Sequence, residues 1–421
     1  MNDILLEAEE LDATDVLAPF RDRFYLPLHA GKPALYFTGN SLGLMPKNVD
    51  RYVNEELQDW RDLGVEGHMH SRRPWFSYHR QLQQHLALIA GALPHEVVAM
   101  NSLTVNLHLM MASFYRPTAS RNKVLIIGQE FPSDRYAVAS QIQLHGYSAA
   151  NAMIEVMPLE GAHLITAEQI QEAITLNADS LALVMISGVH YFSGQYFDIA
   201  TITQQAHSVG ALMGVDLAHA FGNVNLDLHN WGPDFAVWCS YKYLNSGPGG
   251  VGGAFVHDRH ASRADLVRLA GWWGNDEATR FQMKHSFEPT IGADGWQLSN
   301  APILSMAAQL ASLEIFSEAR MERIGSKRNC LTKFAQRAIE FAIGDRTDVR
   351  IITPTDPSKR GAQLSIQFDN NGKAIFDELT SKGVVVDWRV PNVIRMAPAP
   401  LYNTFCEVAQ FGTLLKEILD R

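Results

Sequence analysis

Between about residues 95 and 260 the chain alternates short apolar runs with stretches of helical spacing. The apolar runs lie at 123–128, 181–187, 212–216 and 235–240, with another at 251–256. At 167–173 and 199–209 the apolar residues instead recur three and four apart. Apolar strands alternating with helices predict βαβ units, and hence a mostly parallel sheet covered on both faces. Crossovers in such sheets are right-handed, and ligands bind at the carboxyl ends of the strands.

After about residue 300 the pattern changes. Ile303, Met306, Leu310 and Leu313 follow helical spacing, and helical pattern continues to about residue 342. A strand (363–368), a helix (374–382), two strands (384–388 and 393–396) and a last helix (404–419) follow. Three parts are expected: an N-terminal arm with helices (1–70), a large α/β domain (71–300) and a small α+β domain (301–421). No internal repeat or low-complexity linker interrupts them.

Composition narrows the function. The 421 residues are 47% hydrophobic and 19% charged, enough for ample core. The net charge of −10 argues against nucleic-acid and anionic-membrane partners. Cys239, Cys330 and Cys406 show no paired spacing, which fits a reducing compartment rather than a disulfide framework or zinc module. The acidic start MNDILLEAEELD has no signal-peptide pattern, and no apolar run reaches the roughly 18 residues of a membrane span. A soluble cytoplasmic protein is expected.

The stretch YKYLNSGPGG (241–250) sets Lys242 at the end of an apolar strand, before a glycine-rich bend. A lysine there can condense with an aldehyde cofactor such as pyridoxal phosphate. By itself it is equally a solvated turn lysine. Asp216 ends another strand, where a carboxylate could face a pyridine nitrogen; it could also cap a helix. His219 follows three residues later, near the ring or simply packed. Asn101-Ser102-Leu103-Thr104 precedes a helical stretch, so Thr104 and the Leu103 amide could cup a phosphate, or merely cap the helix. Phe131, past the strand at 123–128, could stack on a flat ring, while Ser133 or Asp134 could cap the next helix. The string Gly247-Pro248-Gly249-Gly250-Val251-Gly252 matches G-x-G-x-x-G but opens a strand, so it is no dinucleotide fingerprint. No Walker A sequence is present, and His68, His70, His257 and His260 read as ordinary histidines.

Thr104, Phe131, Asp216, His219 and Lys242 follow the order and spacing of fold type I pyridoxal-phosphate enzymes, in the class V aminotransferase branch. Further motifs are YFTGNSLGL (36–44), GHMHSRRPW (67–75), FPSD (131–134), VDLAHAFGN (215–223), WCSYKYLNSGPGG (238–250), GWWG (271–274), LSNAPI (298–303) and IRMAPAPLYN (394–403). Together they span nearly the whole chain, and it resembles the kynureninases.

The resemblance implies pyridoxal 5′-phosphate, a homodimer, and an active site shared between subunits. It makes Lys242 the Schiff-base lysine, Asp216 the pyridinium partner and Phe131 the stacking residue. Leu103, Thr104 and Tyr241 would bind phosphate, with Trp272 and Asn300 reaching it from the neighbouring subunit. Asp134, Ser187 and His219 match further cofactor contacts. Arg395 would grip the substrate α-carboxylate, with His68, Ser41 and Ser299 also at the substrate. Tyr241 is the candidate acid. The implied reaction is hydrolysis of L-kynurenine to anthranilate and L-alanine, and of 3-hydroxykynurenine likewise. His68, Ser299 and Asn300 resemble members that favour the hydroxylated substrate. A cysteine desulfurase, or a binding protein without turnover, is the rival reading. The first needs a thiol on a mobile loop, and the second needs decay of Arg395, Tyr241 and His68, all of which are present.

Overall fold

The computed structural model describes residues 2–263 and 265–421. A seven-stranded sheet organises the large part. Its strands are β1 (Val97–Ala99), β2 (Lys123–Ile127), β3 (Met153–Val156), β4 (Leu181–Ser187), β5 (Leu212–Asp216), β6 (Phe235–Trp238) and β7 (Gly253–Val256), in the order β1-β7-β6-β5-β4-β2-β3. Pairings from β6 through β3 are parallel, and β7 runs antiparallel to both its neighbours. This is the expected mostly parallel α/β sheet.

Successive strand residues feed two separate cores, which is why the runs are apolar throughout. Leu125 and Ile127 face one core, Val124 and Ile126 the other. On the second face lie helices α2 (Leu103–Phe114) and α3 (Pro132–Leu144), through Met110, Phe114, Val138 and Ile142. On the first lie α4 (Ala167–Leu176), α5 (Ile199–Ser208) and α6 (Ile303–Ala319), through Ile170, Ile202 and Leu310. Each such aliphatic side chain contributes roughly 1.5–3 kcal/mol on full burial.

The small part holds α7 (Met321–Ile343), strands β8 (Val349–Ile351), β9 (Leu364–Phe368), β10 (Asp387–Arg389) and β11 (Val393–Met396), and helices α8 (Gly372–Ser381) and α9 (Phe405–Leu419). Its sheet order is β8-β9-β11-β10. The N-terminal stretch is tied to it. Helix α1 (Asn2–Ala13) places Ala8 in the same apolar core. Asp12 accepts the N–H groups of Phe405 (2.8 Å) and Cys406 (2.9 Å), so a carboxylate caps the positive end of α9. Leu35–Tyr36 pairs in parallel with Val384–Val385.

Three local differences from the sequence pattern have physical causes. The helical run from 303 breaks at Arg320, whose φ is +66°, leaving α6 and α7 as separate helices. The strand expected at 384–388 is two strands, because Val384–Val385 pairs with Leu35–Tyr36 while β10 pairs with β11. Strands β1, β3 and β8 have three or four residues, too few for a pattern to declare itself.

Two buried carboxylates clasp the sheet's far end. Glu96 accepts the N–H groups of Leu93 (2.8 Å) and Asp258 (2.7 Å) and faces His229 Nδ1 (3.0 Å). His257 lies beside it, its Nδ1 accepting the Arg259 N–H (3.1 Å) and its Nε2 facing the His229 carbonyl (3.1 Å). These three side chains converge, but their ligand atoms are already engaged within the fold. Asp234 accepts the Met213 N–H (2.7 Å), faces His207 Nε2 (2.9 Å) and His260 Nε2 (2.8 Å), and pairs with Arg259 (3.1 Å).

Burial alone would raise the Asp234 pKa, but hydrogen bonds from His207, His260 and Met213, with the Arg259 charge, hold it below the usual carboxylate range. A depressed carboxylate stabilises the fold above its unfolded pKa, about 3.9, and that stabilisation is lost as pH falls through the folded value. Asp234→Ala should therefore cost about 1–3 kcal/mol in urea unfolding at neutral pH, because it leaves the buried Met213 N–H and His260 Nε2 without their partner. The difference from wild type should shrink below about pH 4. An equal urea midpoint at neutral pH would show that Asp234 is no clasp.

Candidate active site

The loop after β6 carries Lys242 to the carboxyl edge of the sheet. Ser240 anchors the loop's base: its Oγ meets Ser246 Oγ at 2.5 Å and donates to the Val251 carbonyl. The turn runs through Gly247 (φ +90°) and Gly249 (φ +65°), left-handed conformations that glycine adopts without strain. From the N-terminal side, Gly43 donates its N–H to the Tyr241 carbonyl at 2.8 Å. A Cβ at Gly43 would overlap the Lys242 carbonyl oxygen and lie 2.8 Å from Asn245 Cα. The backbone of residues 36–44 thus holds the lysine loop in place.

Lys242 shares one pocket with Leu103, Thr104, Glu130, Phe131, Asp134, Ser187, Asp216, His219 and Tyr241. Asp216, the last residue of β5, is buried, and its Oδ1 accepts the Ala218 N–H at 2.6 Å. Burial raises its pKa, while neighbouring Asp134, the Ala218 N–H and the Lys242 charge oppose that rise. Asp134, in the first turn of α3, is pushed well above its usual range by burial and by the charges of Asp216 and Glu130. Adjacent buried carboxyls do not both ionise, so Asp134 keeps its proton and Asp216 is the anion. His219 is buried and held well below its ordinary pKa by burial and by the charges of Lys242, Arg395 and Arg389. It is therefore neutral.

The pocket suits a flat, phosphate-bearing aldehyde. Ser102 makes no side-chain cap on α2, so the first-turn N–H groups at Leu103 and Thr104 stay open to an anion. Gly252 lets that helix start approach: a Cβ there would lie 3.2 Å from the Ser102 carbonyl carbon and 3.3 Å from the Leu103 nitrogen. Thr104 Oγ1 lies 3.0 Å from Ser133 Oγ. Phe131, 41% exposed, forms one wall edge-on to Tyr191, with ring centroids 5.3 Å apart. Asp134 Oδ1, Ser187 Oγ and His219 Nδ1 are buried without a hydrogen-bond partner. Three orphaned polar atoms on one pocket are what a polar aromatic ring would satisfy.

Comparison with known proteins decides the family. The chain is 52% identical over 412 residues to a kynureninase of Myxococcus xanthus, covering 97% of this chain and 96% of that protein. It is 50% identical over 416 residues to one of Stenotrophomonas maltophilia, covering 98% of both. The kynureninase C-terminal domain model matches residues 324–415, and the DegT/DnrJ/EryC1/StrS aminotransferase family model matches residues 73–353. The chain belongs to the kynureninase family. Solved structures share the fold at low identity. The cysteine desulfurase CsdA of Escherichia coli superposes with a TM-score of 0.76 at 18% identity, covering 96% of this chain and 98% of that one. A C-DES mutant with glycine covalently linked to its PLP cofactor gives 0.76 at 16%, covering 91% and 96%. The fold is thus that of fold type I pyridoxal-phosphate enzymes, as expected.

In this member of the kynureninase family, the residues singled out by sequence fall into two groups. Leu103, Thr104, Phe131, Asp134, Ser187, Asp216, His219, Tyr241 and Lys242 line the pocket. Ser41, Trp272, Ser299 and Asn300 are surface residues outside it. His68 is half-buried, also outside, with Nδ1 3.0 Å from the Val65 carbonyl and its ring edge-on to Trp75. Arg395 lies behind Tyr191. It is 1% exposed, donates to the Tyr191 carbonyl at 2.6 Å and pairs with Asp387, which Arg389 also contacts at 3.0 Å. Burial lowers its pKa to about 10, yet it stays charged at neutral pH, and its Nε has no partner. Glu130 and Tyr191 also line the pocket, and sequence reading passed over them; Cys239, read from sequence as one of three unpaired cysteines, lines it too. For Glu130 the signal was available: a carboxylate just past a strand's carboxyl end, beside FPSD.

Gly43→Ala tests the loop packing. Overpacking of this kind should cost about 1–3 kcal/mol in urea unfolding. An unchanged urea midpoint would show that residues 36–44 do not hold the lysine loop.

Proposed function

We propose that this chain is a pyridoxal 5′-phosphate-dependent hydrolase that cleaves L-kynurenine to anthranilate and L-alanine, and 3-hydroxykynurenine to 3-hydroxyanthranilate and L-alanine. The observation that carries the reading is one pocket holding Lys242, Asp216, an open helix start and Phe131, in a chain half identical to named kynureninases.

The bound cofactor supplies an aldehyde that condenses reversibly with amines and a ring that withdraws electrons. Lys242 would be the amine that holds it and the base that moves the substrate Cα proton. Asp216 would keep the ring nitrogen protonated, and Phe131 would offer its ring as a stacking surface. Leu103, Thr104 and Tyr241 would hold the phosphate, with Asp134, Ser187 and His219 as further polar contacts. Neutral His219 adds no second cation beside Lys242. Arg395 binds the α-carboxylate, its guanidinium oriented by Asp387 and the Tyr191 carbonyl.

Water adds to the aryl ketone and supplies the second oxygen of the anthranilate carboxylate. The departing carbon takes a proton and becomes the methyl group of alanine. Tyr241 is the donor we assign: burial, then the neighbouring Cys239, raises its pKa, so it reaches that step protonated. A positioned donor is worth about 10²–10⁴ in rate.

Trp272 and Asn300 complete the site from a second subunit of a homodimer, and His68, Ser41 and Ser299 bind the substrate. Support comes from the apolar surface around them: Trp272 is 44% exposed, Met69 52% and Phe281 55%. His68, Ser299 and Asn300 offer polar partners to a ring hydroxyl, which favours the hydroxylated substrate. Free Cys239, Cys330 and Cys406 support a reducing, cytoplasmic setting. No helix among the described residues is long and apolar enough to cross a membrane.

Steady-state release of anthranilate from kynurenine tests the function, and Lys242→Ala should abolish it while leaving the thermal unfolding midpoint within a few degrees. Wild-type turnover by that variant, or no anthranilate from the cofactor-loaded native chain, would sink the reading. Mixing inactive Lys242→Ala chains with inactive Trp272→Ala chains should restore part of the activity in heterodimers. No recovery despite proven subunit exchange would argue against a shared site.

A further inference from the structure

The pocket holds a third carboxyl that the reaction above does not use. Glu130 sits between the end of β2 and the start of α3, and is 7% exposed. Its Oε1 accepts the Phe131 N–H at 3.1 Å and its Oε2 accepts the Ser187 N–H at 3.2 Å. Ser187 ends β4 directly beside Asp216 of β5, so Glu130 lies on the same edge of the pocket as the pyridinium partner. Neither hydrogen bond requires a carboxylate; a neutral carboxyl or an amide can accept at least one of them.

The charge balance around it is uneven. Asp216 faces it from β5, Asp134 from α3 and Lys242 from the loop after β6. On the β4 side stand Tyr191 and His190, whose Nε2 lies 3.1 Å from the Gln129 carbonyl and which burial holds neutral, with a pKa of about 4. Arg395 and Arg389 stand beyond Tyr191, committed to Asp387. Three carboxyls therefore share one pocket with one ammonium, and a buried site does not sustain that excess of negative charge. One proton rests on Asp134. A second group has to be close to exchanging its proton at neutral pH, and Glu130 is the remaining carboxyl.

Resting on the proposed function for the identity of the cofactor, we propose that Glu130 is a proton-exchanging carboxyl of the cofactor pocket. At and below neutral pH it holds a proton for much of the time when the pocket is empty, and it releases that proton to solvent when the protonated ring binds beside Asp216. The step is a simple ionisation: the O–H bond of the carboxyl breaks, the electron pair stays on oxygen, and the proton leaves to water. Burial, with the Asp216 charge next, raises the Glu130 pKa to about 7. A ring cation lowers it again. Below both values Glu130 is protonated with and without cofactor and contributes nothing to binding. Above the empty-pocket value it is ionised throughout and contributes fully; the contribution declines as pH falls below about 7 and is gone once pH is below the lower cofactor-bound value.

The test measures the Kd of pyridoxal 5′-phosphate for the cofactor-free chain, without substrate, from about pH 6 to about pH 8.5. Wild type is compared with Glu130→Gln, a permanent mimic of the protonated form. The ratio of variant to wild-type Kd should be highest at the alkaline end and fall as pH drops below about 7, by about tenfold in all for each pKa unit the ring removes. Glu130→Ala carries the same comparison should the glutamine variant not fold. A ratio constant with pH overturns the proposal, because loss of two hydrogen bonds alone weakens binding equally at every pH. A wild-type chain that binds no pyridoxal 5′-phosphate overturns both this proposal and the proposed function. A rising ratio in a chain that releases no anthranilate leaves Glu130 as assigned and removes only the proposed function.

Discussion

An ammonium group at the carboxyl edge of a buried parallel sheet needs a counter-charge, and much of this pocket follows from that need. Carboxylates near an ammonium offset the cost of taking it out of water. Asp216 provides one, at a strand end whose register with Ser187 is fixed by the sheet. Its position brings it against Asp134, and the two divide one proton between them. The same ammonium keeps His219 neutral. Charge states in the pocket are thus set first by burial, with the carboxyls and Lys242 adjusting one another.

That arrangement needs backbone held from outside the sheet. Gly43 comes within hydrogen-bonding distance of the loop that carries Lys242, and any side chain there would collide with it. Gly252 performs the corresponding service for the start of α2, where an anion would bind. The small part contributes Arg395, buried behind Tyr191 and held by Asp387. The surroundings of the pocket therefore join parts of the chain more than 350 residues apart, from Gly43 against the lysine loop to Arg395 behind Tyr191. Displacement of either flank moves a charged group relative to Lys242, so stability of the two parts and competence of the site are linked.

The likeness to cysteine desulfurases ends at the fold. Those proteins superpose over nearly the whole chain at under a fifth identity, which is what a shared scaffold with different chemistry looks like. The cysteine nearest the pocket, Cys239, is buried, and burial pushes its thiol pKa up. Such a thiol is a poor nucleophile, and it lies at a strand end rather than on a mobile loop.

The sequence alone determined the βαβ pattern, the long helices and the small α+β part, because periodicity of 2 or 3.6 is local and each long element repeats it several times. It also determined the pocket's principal groups: Lys242, Asp216, Thr104 and Phe131 sit at strand ends or helix starts, positions that local pattern reveals. Tertiary structure decided the rest. The break at Arg320 and the split at Val384–Val385 depend on partners distant in the chain. Which of Asp216 and Asp134 keeps the proton depends on distances and burial that no spacing encodes. The packing of Arg395 behind Tyr191 and the presence of Glu130 among the pocket carboxyls appeared only when separate strands were brought together. Electrostatic coupling acts through space, so the residues it joins carry no mark of it in the order of the chain.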